Sequence, residues 1–197
     1  RNHIKKELMI QEVIVSTQNT EGVPHIAPMG IHINNNDEII ILPFRPSTTL
    51  NNILQSKYAV INYCDDVRVF AGCLTGKRNW PLTKTENNKG HFLSSALAHK
   101  ELELVRIEDD ETRPKLYCKA VNSVNHAPFQ GFNRAQYSVL EAAILVSRLK
   151  MLPIEKIQSE IDYLSIGLDK TAGDKELEAW GWLMTLIEKH KQELTQA

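Results

Sequence analysis

No apolar run in this chain approaches the roughly 18 residues that a membrane-spanning helix requires, so a helical membrane protein is not expected. Charge of one sign is missing as well. The 23 lysines and arginines stand against 24 aspartates and glutamates, a formal net charge of -1, so neither nucleic acid nor an acidic membrane surface is expected as a partner. Cysteine is scarce. Cys64, Cys73 and Cys118 are odd in number and show no C-x-x-C spacing, which argues against a disulfide framework and predicts reduced thiols in a cytoplasmic protein. Cys64 precedes Asp65 and Asp66, whose charge raises a thiol pKa, so a nucleophilic cysteine is not expected. The seven histidines form neither H-E-x-x-H nor a Cys/His cluster, and no metal site is predicted. Arg1 to Lys6 is charged, with no apolar stretch of signal-peptide type behind it.

What is present fits an ordinary globular protein, with 42% hydrophobic and 24% charged residues. At 197 residues the chain suits one domain, or one domain with a helical appendage. The first two thirds read as β-rich. Ile10 to Ser16 is dense in β-branched residues, and Asn19 to Gly22 supplies a turn. His25, Ala27, Met29, Ile31 and Ile33 share one face of a period-2 strand. Asn34 to Asp37 is a turn, and Glu38 to Leu42 the returning strand. Tyr58 to Tyr63, Leu102 to Glu108 and Leu116 to Val124 are further strands, the last two joined by the acidic turn Asp109-Asp110-Glu111. Residues 72–91 read as a long irregular loop.

After Asn125 the period changes. Arg134 to Lys150 is helical, with a narrow polar stripe of Arg134, Ser138, Glu141 and Arg148. Pro153 starts a second helix whose inner face is Ile154, Ile157, Ile161, Leu164 and Leu168. Asp174 caps a third, with Leu177, Trp180, Met184 and Ile187 turned inward. The expected organisation is α+β: a β-barrel over 1–130 and a three-helix region over 131–197.

Two segments carry candidate chemistry. Pro43-Phe44-Arg45-Pro46-Ser47-Thr48-Thr49-Leu50-Asn51-Asn52 sets an arginine and three hydroxyls at a strand-to-helix junction. The first N–H groups of a helix lack internal partners and favour an anion, so this cluster suits a phosphomonoester. A plain Ser47 N-cap beside a solvated Arg45 gives the same pattern. In His25 to Gly30, Pro28 removes a backbone donor and Gly30 a side chain, which fits either a planar ligand lying on the strand or an edge strand with a bulge. Gly72 to Arg78 is one residue short of a phosphate loop between its glycines and lacks the hydroxyl after Lys77, so that reading is rejected; a mobile basic loop remains. Asn122 to His126 is a polar cluster at a strand end.

Taken in order, Thr17 to Gly30 (TQNTEGVPHIAPMG), Pro43 to Asn52 (PFRPSTTLNN), Ile61 to Val67 (INYCDDV) and Phe132 to Ala142 (FNRAQYSVLEA) resemble a flavin reductase-like family of FMN-binding split-barrel proteins, known as a domain of unknown function, family 447. The resemblance covers nearly the whole chain. It implies a six-stranded antiparallel split β-barrel that dimerises with FMN in a groove at the subunit interface, followed by the helical region. On that basis Arg45, Ser47, Thr48 and Thr49 become the phosphate site, with Asn52 nearby. Pro28, Met29 and Gly30 run beside the isoalloxazine ring, and Asn62 is a further contact. Asn133 and Arg134 reach the cofactor or the partner subunit. The hydride or electron chemistry then belongs to the cofactor, and no catalytic side chain is singled out. Two functions follow: an FMN-dependent oxidoreductase acting with a nicotinamide or another small redox partner, or a non-enzymatic FMN store or sensor. A haem-binding barrel would need His25, His32 or His126 as axial ligand, and nothing in their spacing favours it.

Overall fold

The structure is a computed structural model and describes residues 9–197; the charged Arg1 to Lys6 stretch lies outside them. Six strands close into an antiparallel barrel: β1 (Ile10–Gln18), β2 (Pro24–Ile33), β3 (Ile39–Ile41), β4 (Tyr58–Tyr63), β7 (Ala98–Glu108) and β8 (Lys115–Asn125), in the spatial order β1-β2-β3-β8-β7-β4. The chain is thus an α+β protein with a six-stranded split barrel. Between β4 and β7 come helix α2 (Val67–Leu74) and a small separate hairpin, β5 (Leu82–Lys84) with β6 (His91–Leu93). Helix α1 (Thr48–Ser56) links β3 to β4, and α3 (Arg134–Ser147), α4 (Ile154–Thr171) and α5 (Asp174–Thr195) end the chain.

Two compact units result. One holds the chain up to Cys64 together with Pro81–Pro128; the other holds Asp65–Trp80 with Phe129–Ala197. In the barrel unit, Val13 and Val15 of β1 stand opposite Met29 and Ala27 of β2, and this face turns inward. Val13, Val15, Ile31, Ile41, Ile61, Leu102 and Leu116 form the core, which Leu50 and Ile53 of α1 complete. The alternation of β2 predicted from sequence is therefore the alternation observed. The opposite face of β1 and β4 is buried too, because the β5–β6 hairpin covers it. Ser16 Oγ donates to the His91 carbonyl. A Cβ on Gly90 would come within 2.7 Å of the Tyr58 ring, so the hairpin lies that close to the barrel wall.

Strand β3 is short. It pairs with β2 only through Ile31–Ile33 and with β8 only through Leu116–Cys118. Among the described residues, the β2 edge from Pro24 to Gly30 and the β8 edge from Lys119 to Asn125 have no strand partner on that side. This is the split. Proline at position 28 is tolerated because that edge needs no ladder donor.

The segment 72–91 is more ordered than an irregular loop. It contains the end of α2, both strands of the hairpin and their turn. Eight almost uniformly apolar residues gave α2 no readable period, and three-residue strands are too short to alternate. In the helical unit, Asp66 caps α2 by accepting from Arg68 N. The basic stretch after α2 is anchored: Lys77 N donates to Gly72 O, and Trp80 Nε1 to Lys77 O.

Val67 and Ala71 of α2 enter one core with Val139, Ala142 and Val146 of α3, Ile157, Ile161, Leu164 and Leu168 of α4, and Leu183 and Ile187 of α5. The α4 face agrees with its predicted period. On α5 the buried stripe is Ala179, Leu183 and Ile187, while Leu177 is exposed and Trp180 and Met184 sit at the flanks. Small Ala179 centres the contact, which large side chains alone did not reveal. Helix α4 begins at Ile154 with Pro153 as its N-cap, and α5 at Asp174 with Gly173 as its N-cap, each one residue from the expected position. Ser138, read as part of a polar stripe, is buried and donates to Leu164 O.

The pinning of the hairpin is testable at Asn62. Its amide is fully buried, donates to Ile14 O and Ser16 Oγ, and accepts from Leu93 N at 2.7 Å. Asn62→Ala strands the buried Leu93 N–H, so a loss of about 1–3 kcal/mol is expected. Urea denaturation measures it, and hydrogen exchange should quicken at Leu93; an unchanged midpoint would remove Asn62 as the clasp.

Candidate functional site

The loop leaving β3 is built around cations. Arg45 N donates to Thr112 O, and Arg45 Nη2 meets Asp109 at 2.9 Å. Arg113 donates from Nε to Leu42 O, and its guanidinium lies 4.6 Å from the Phe44 ring centroid. The β7–β8 turn holds Arg113 in place: Asp110 accepts the Thr112 and Arg113 N–H groups, which keep its carboxyl below the usual range. Sequence reading took this turn as acidic and passed over Arg113. Its signal was the arginine two residues before β8, on the same side of the barrel as the start of α1.

Ser47 is the α1 N-cap, its hydroxyl accepting from Leu50 N at 3.1 Å. The earlier N–H groups, of Thr48 and Thr49, have no partner within the helix itself, and the first turn holds no acidic residue. Such a terminus attracts an anion. The hydroxyl residues differ in reach. Thr48 is exposed and Ser47 half-buried, but Thr49 is 1% exposed. Asn52 is buried and donates to Thr17 Oγ1 at 3.0 Å, tying α1 to the end of β1.

Pro28, Met29 and Gly30 lie half-buried on the unpartnered length of β2. Met29 packs on the barrel core. The place a Gly30 Cβ would take is held by Ile10 Cγ2 at 2.7 Å, so packing against β1 accounts for that glycine. Asn62 has the internal partners given above. In the helical unit Asn133 caps α3, accepting from Gln136 N while donating to Thr171 O. Arg134 is exposed beside Gly167.

A second polar cluster sits on the outer side of the barrel and was only half visible in the sequence. Its centre is Glu101, 3% exposed. Glu101 accepts from Tyr58 Oη at 2.8 Å, from Asn122 Nδ2 at 2.6 Å and from His99 Nε2 at 3.1 Å. His99 Nδ1 lies 2.8 Å from His126 Nε2. Phe92 of β6 stacks over both imidazoles, at 4.2 and 4.9 Å between centroids. Burial works against the Glu101 charge, but the Tyr58, Asn122 and His99 donors outweigh it and hold the carboxyl below its ordinary value. Burial, with the Glu101 charge behind it, pushes the Tyr58 phenol up to about 12. Desolvation and then the charge of His99 lower His126. Asn122 and His126 were noticed as a strand-end cluster. His99 and Glu101 carried only an i, i+2 spacing that any surface strand shares.

Burial pushes the Cys118 thiol up to about 12 and raises Cys73 as well, so neither is an activated nucleophile. Among the described residues no group of three or more His, Cys, Asp or Glu is placed to hold a metal ion, and no helix is long and apolar enough to cross a membrane.

Two family profiles match the chain: "Protein of unknown function (DUF447) N-terminal domain" over residues 11–127, and "Protein of unknown function (DUF447)" over 133–185. No curated protein gives a significant match. Solved structures share the fold. The FMN-bound protein MM1853 of Methanosarcina mazei is 23% identical with a TM-score of 0.75, over 93% of this chain and 96% of that one. The 2-nitrobenzoate 2-nitroreductase NbaA of Pseudomonas fluorescens is 18% identical with a TM-score of 0.53, over 62% and 67%. Flavin reductase HpaC, solved with NADP+, is 15% identical with a TM-score of 0.53, over 63% and 82%.

The depressed Glu101 carboxyl makes a pH prediction. Its folded pKa lies below the ordinary 4.5, so its contribution is present above that value and is lost as pH falls through the folded pKa. Glu101→Gln should therefore be destabilised at pH 7, and the gap to the parent should narrow below about pH 4. Urea melts at both pH values check this; a gap independent of pH would mean the carboxylate charge is not what the network stabilises.

Proposed function

Because the chain belongs to the DUF447 family, we propose that it is an FMN-binding flavoprotein whose flavin carries out redox chemistry at a dimer interface. The observation that carries this reading is the start of α1: a helix N-terminus with no acid in its first turn, flanked by Arg45 and Arg113, in the same unit as the unpartnered β2 edge. The FMN found in the Methanosarcina protein, which aligns along nearly the whole chain, supports it.

In this reading the residues divide their work. The α1 N–H groups and the Ser47 and Thr48 hydroxyls receive the phosphate oxygens, and Arg45 supplies the charge-assisted bond. Thr49 and Asn52 act behind them, fixing α1 against the barrel. Pro28 to Gly30 offers a flat strand edge whose main-chain groups meet the polar rim of the ring, with Met29 anchoring the strand in the core. Asn62 and Asn133 serve the fold. Bound FMN supplies hydride and electron transfer, and the protein binds and orients it. The split leaves strand edges that a second copy of the chain covers, which places the cofactor between subunits.

Arg45→Ala tests the phosphate site. FMN affinity should fall about 10- to 100-fold, the worth of one charge-assisted hydrogen bond, while riboflavin, which lacks the phosphate, should bind as before. Flavin fluorescence quenching reads both ligands. Unchanged FMN affinity moves the phosphate elsewhere. Anaerobic mixing of NADPH or NADH with the loaded protein should bleach the flavin if a nicotinamide is the donor. A protein that binds FMN but passes electrons to no acceptor is a store or sensor.

A further inference from the structure

The network around Glu101 has the construction of an acid–base device. Three donors converge on one buried carboxylate, yet the chain of bonds continues outward through two imidazoles to an exposed residue. With Glu101 ionised, His99 Nε2 carries the proton that it donates to the carboxylate. His99 Nδ1 is then an acceptor for His126 Nε2–H, or, when His99 is charged, a donor to it. The two rings thus share one exchangeable proton, and the Glu101 charge stabilises it on the inner ring. Phe92 fixes both rings nearly parallel to its own, at 12° and 11°. That geometry keeps the Nδ1 to Nε2 contact aligned.

His126 closes β8, and the preceding Asn122, Ser123 and Asn125 are exposed on the strand edge that lacks a partner. We propose that His126 is an acid–base residue of the redox reaction, with His99 and Glu101 as positioning residues, and that it delivers the proton a two-electron acceptor takes together with a hydride. This rests on the flavin reading above. The acceptor is of a class whose oxygen or nitrogen becomes protonated on reduction, such as a quinone or a nitro group. The balance is simple. Reduced flavin gives a hydride to the acceptor, His126 gives its proton to the resulting anion, oxidised flavin remains, and solvent restores the proton through the exposed ring. The titratable groups facing the pair are Glu101 from β7 and Tyr58 from β4; β8 adds the neutral Asn122, and β6 presents only Phe92.

The test uses His126→Gln, which keeps a nitrogen able to bond His99 Nδ1 but cannot titrate. Flavin-loaded parent and variant are reduced with dithionite and reoxidised anaerobically, once by menadione, which takes a hydride and a proton, and once by ferricyanide, which takes electrons alone. Menadione reoxidation should slow about 100-fold or more in the variant, with loss of the falling limb of its pH profile, while the ferricyanide rate stays within twofold. Equal slowing with both acceptors, or an unchanged menadione profile, overturns the proposal. A second measurement needs no turnover. Imidazole NMR of the parent between pH 5 and 9 should show His99 and His126 titrating as a coupled pair, and His99→Gln should release His126 to titrate alone. Independent titration in the parent also overturns it. Failure of the flavin reading is seen separately, as absence of FMN uptake in either protein.

Discussion

Because β3 reaches only from Ile39 to Ile41, hydrogen bonding between β2 and β8 passes through three residues, and everything beyond them is left without a ladder partner. A longer β3 would have closed the barrel along its whole length. The shortness has a local cause. Asn34 to Asp37 turns the chain tightly, with Asn34 Oδ1 accepting from Asn36 N and Glu38 N, and Pro43 stands two residues after the strand ends. Between those limits there is room for Ile39, Ile40 and Ile41 and little else. The strand leaves early, and the chain enters the arginine-bearing loop that leads to α1. The opening in the sheet and the cationic helix start are two results of one truncation.

Charge is handled in opposite ways within the barrel unit. Around α1 the guanidiniums stay exposed, and Arg45 has 41% of its side chain accessible while paired with an Asp109 that is 81% accessible. Such a pair contributes little to stability and opens readily to a stronger anion. Around Glu101 the charge is withdrawn from water and surrounded by donors, so losing any one donor leaves an uncompensated group. The first arrangement suits exchange of a ligand; the second suits a fixed proton inventory.

How much of this was legible depended on the length over which a pattern ran. The β2 alternation spans ten residues and the α4 face four turns, and both could be read directly. The barrel closure could not: it depends on pairings such as Ile39 with Cys118, which no local period encodes, and it came from the linked family blocks. Ser47, an obvious cap by residue type, is the cap. Asn62 and Asn52 looked like ligands because buried asparagines and binding asparagines share the same letter; only Leu93 N and Thr17 Oγ1 reveal their partners. Glu101 was invisible for a related reason. A carboxylate on a strand reads as a surface residue until its three donors, from β4, β7 and β8, are assembled around it.

Helix α2 leaves the barrel sequence at Asp65 and gives Val67 and Ala71 to a core that otherwise belongs to α3, α4 and α5. On the ribosome those two side chains emerge long before the helices that cover them. The barrel's own strands are complete by Asn125, so one unit can finish while the other still lacks most of its partners. During that interval α2 is an apolar helix without a core, held at both ends by a nearly finished barrel. Chain order thus makes the helical unit the last to form, and cutting the gene at the barrel's end would leave α2 behind with nothing to cover it.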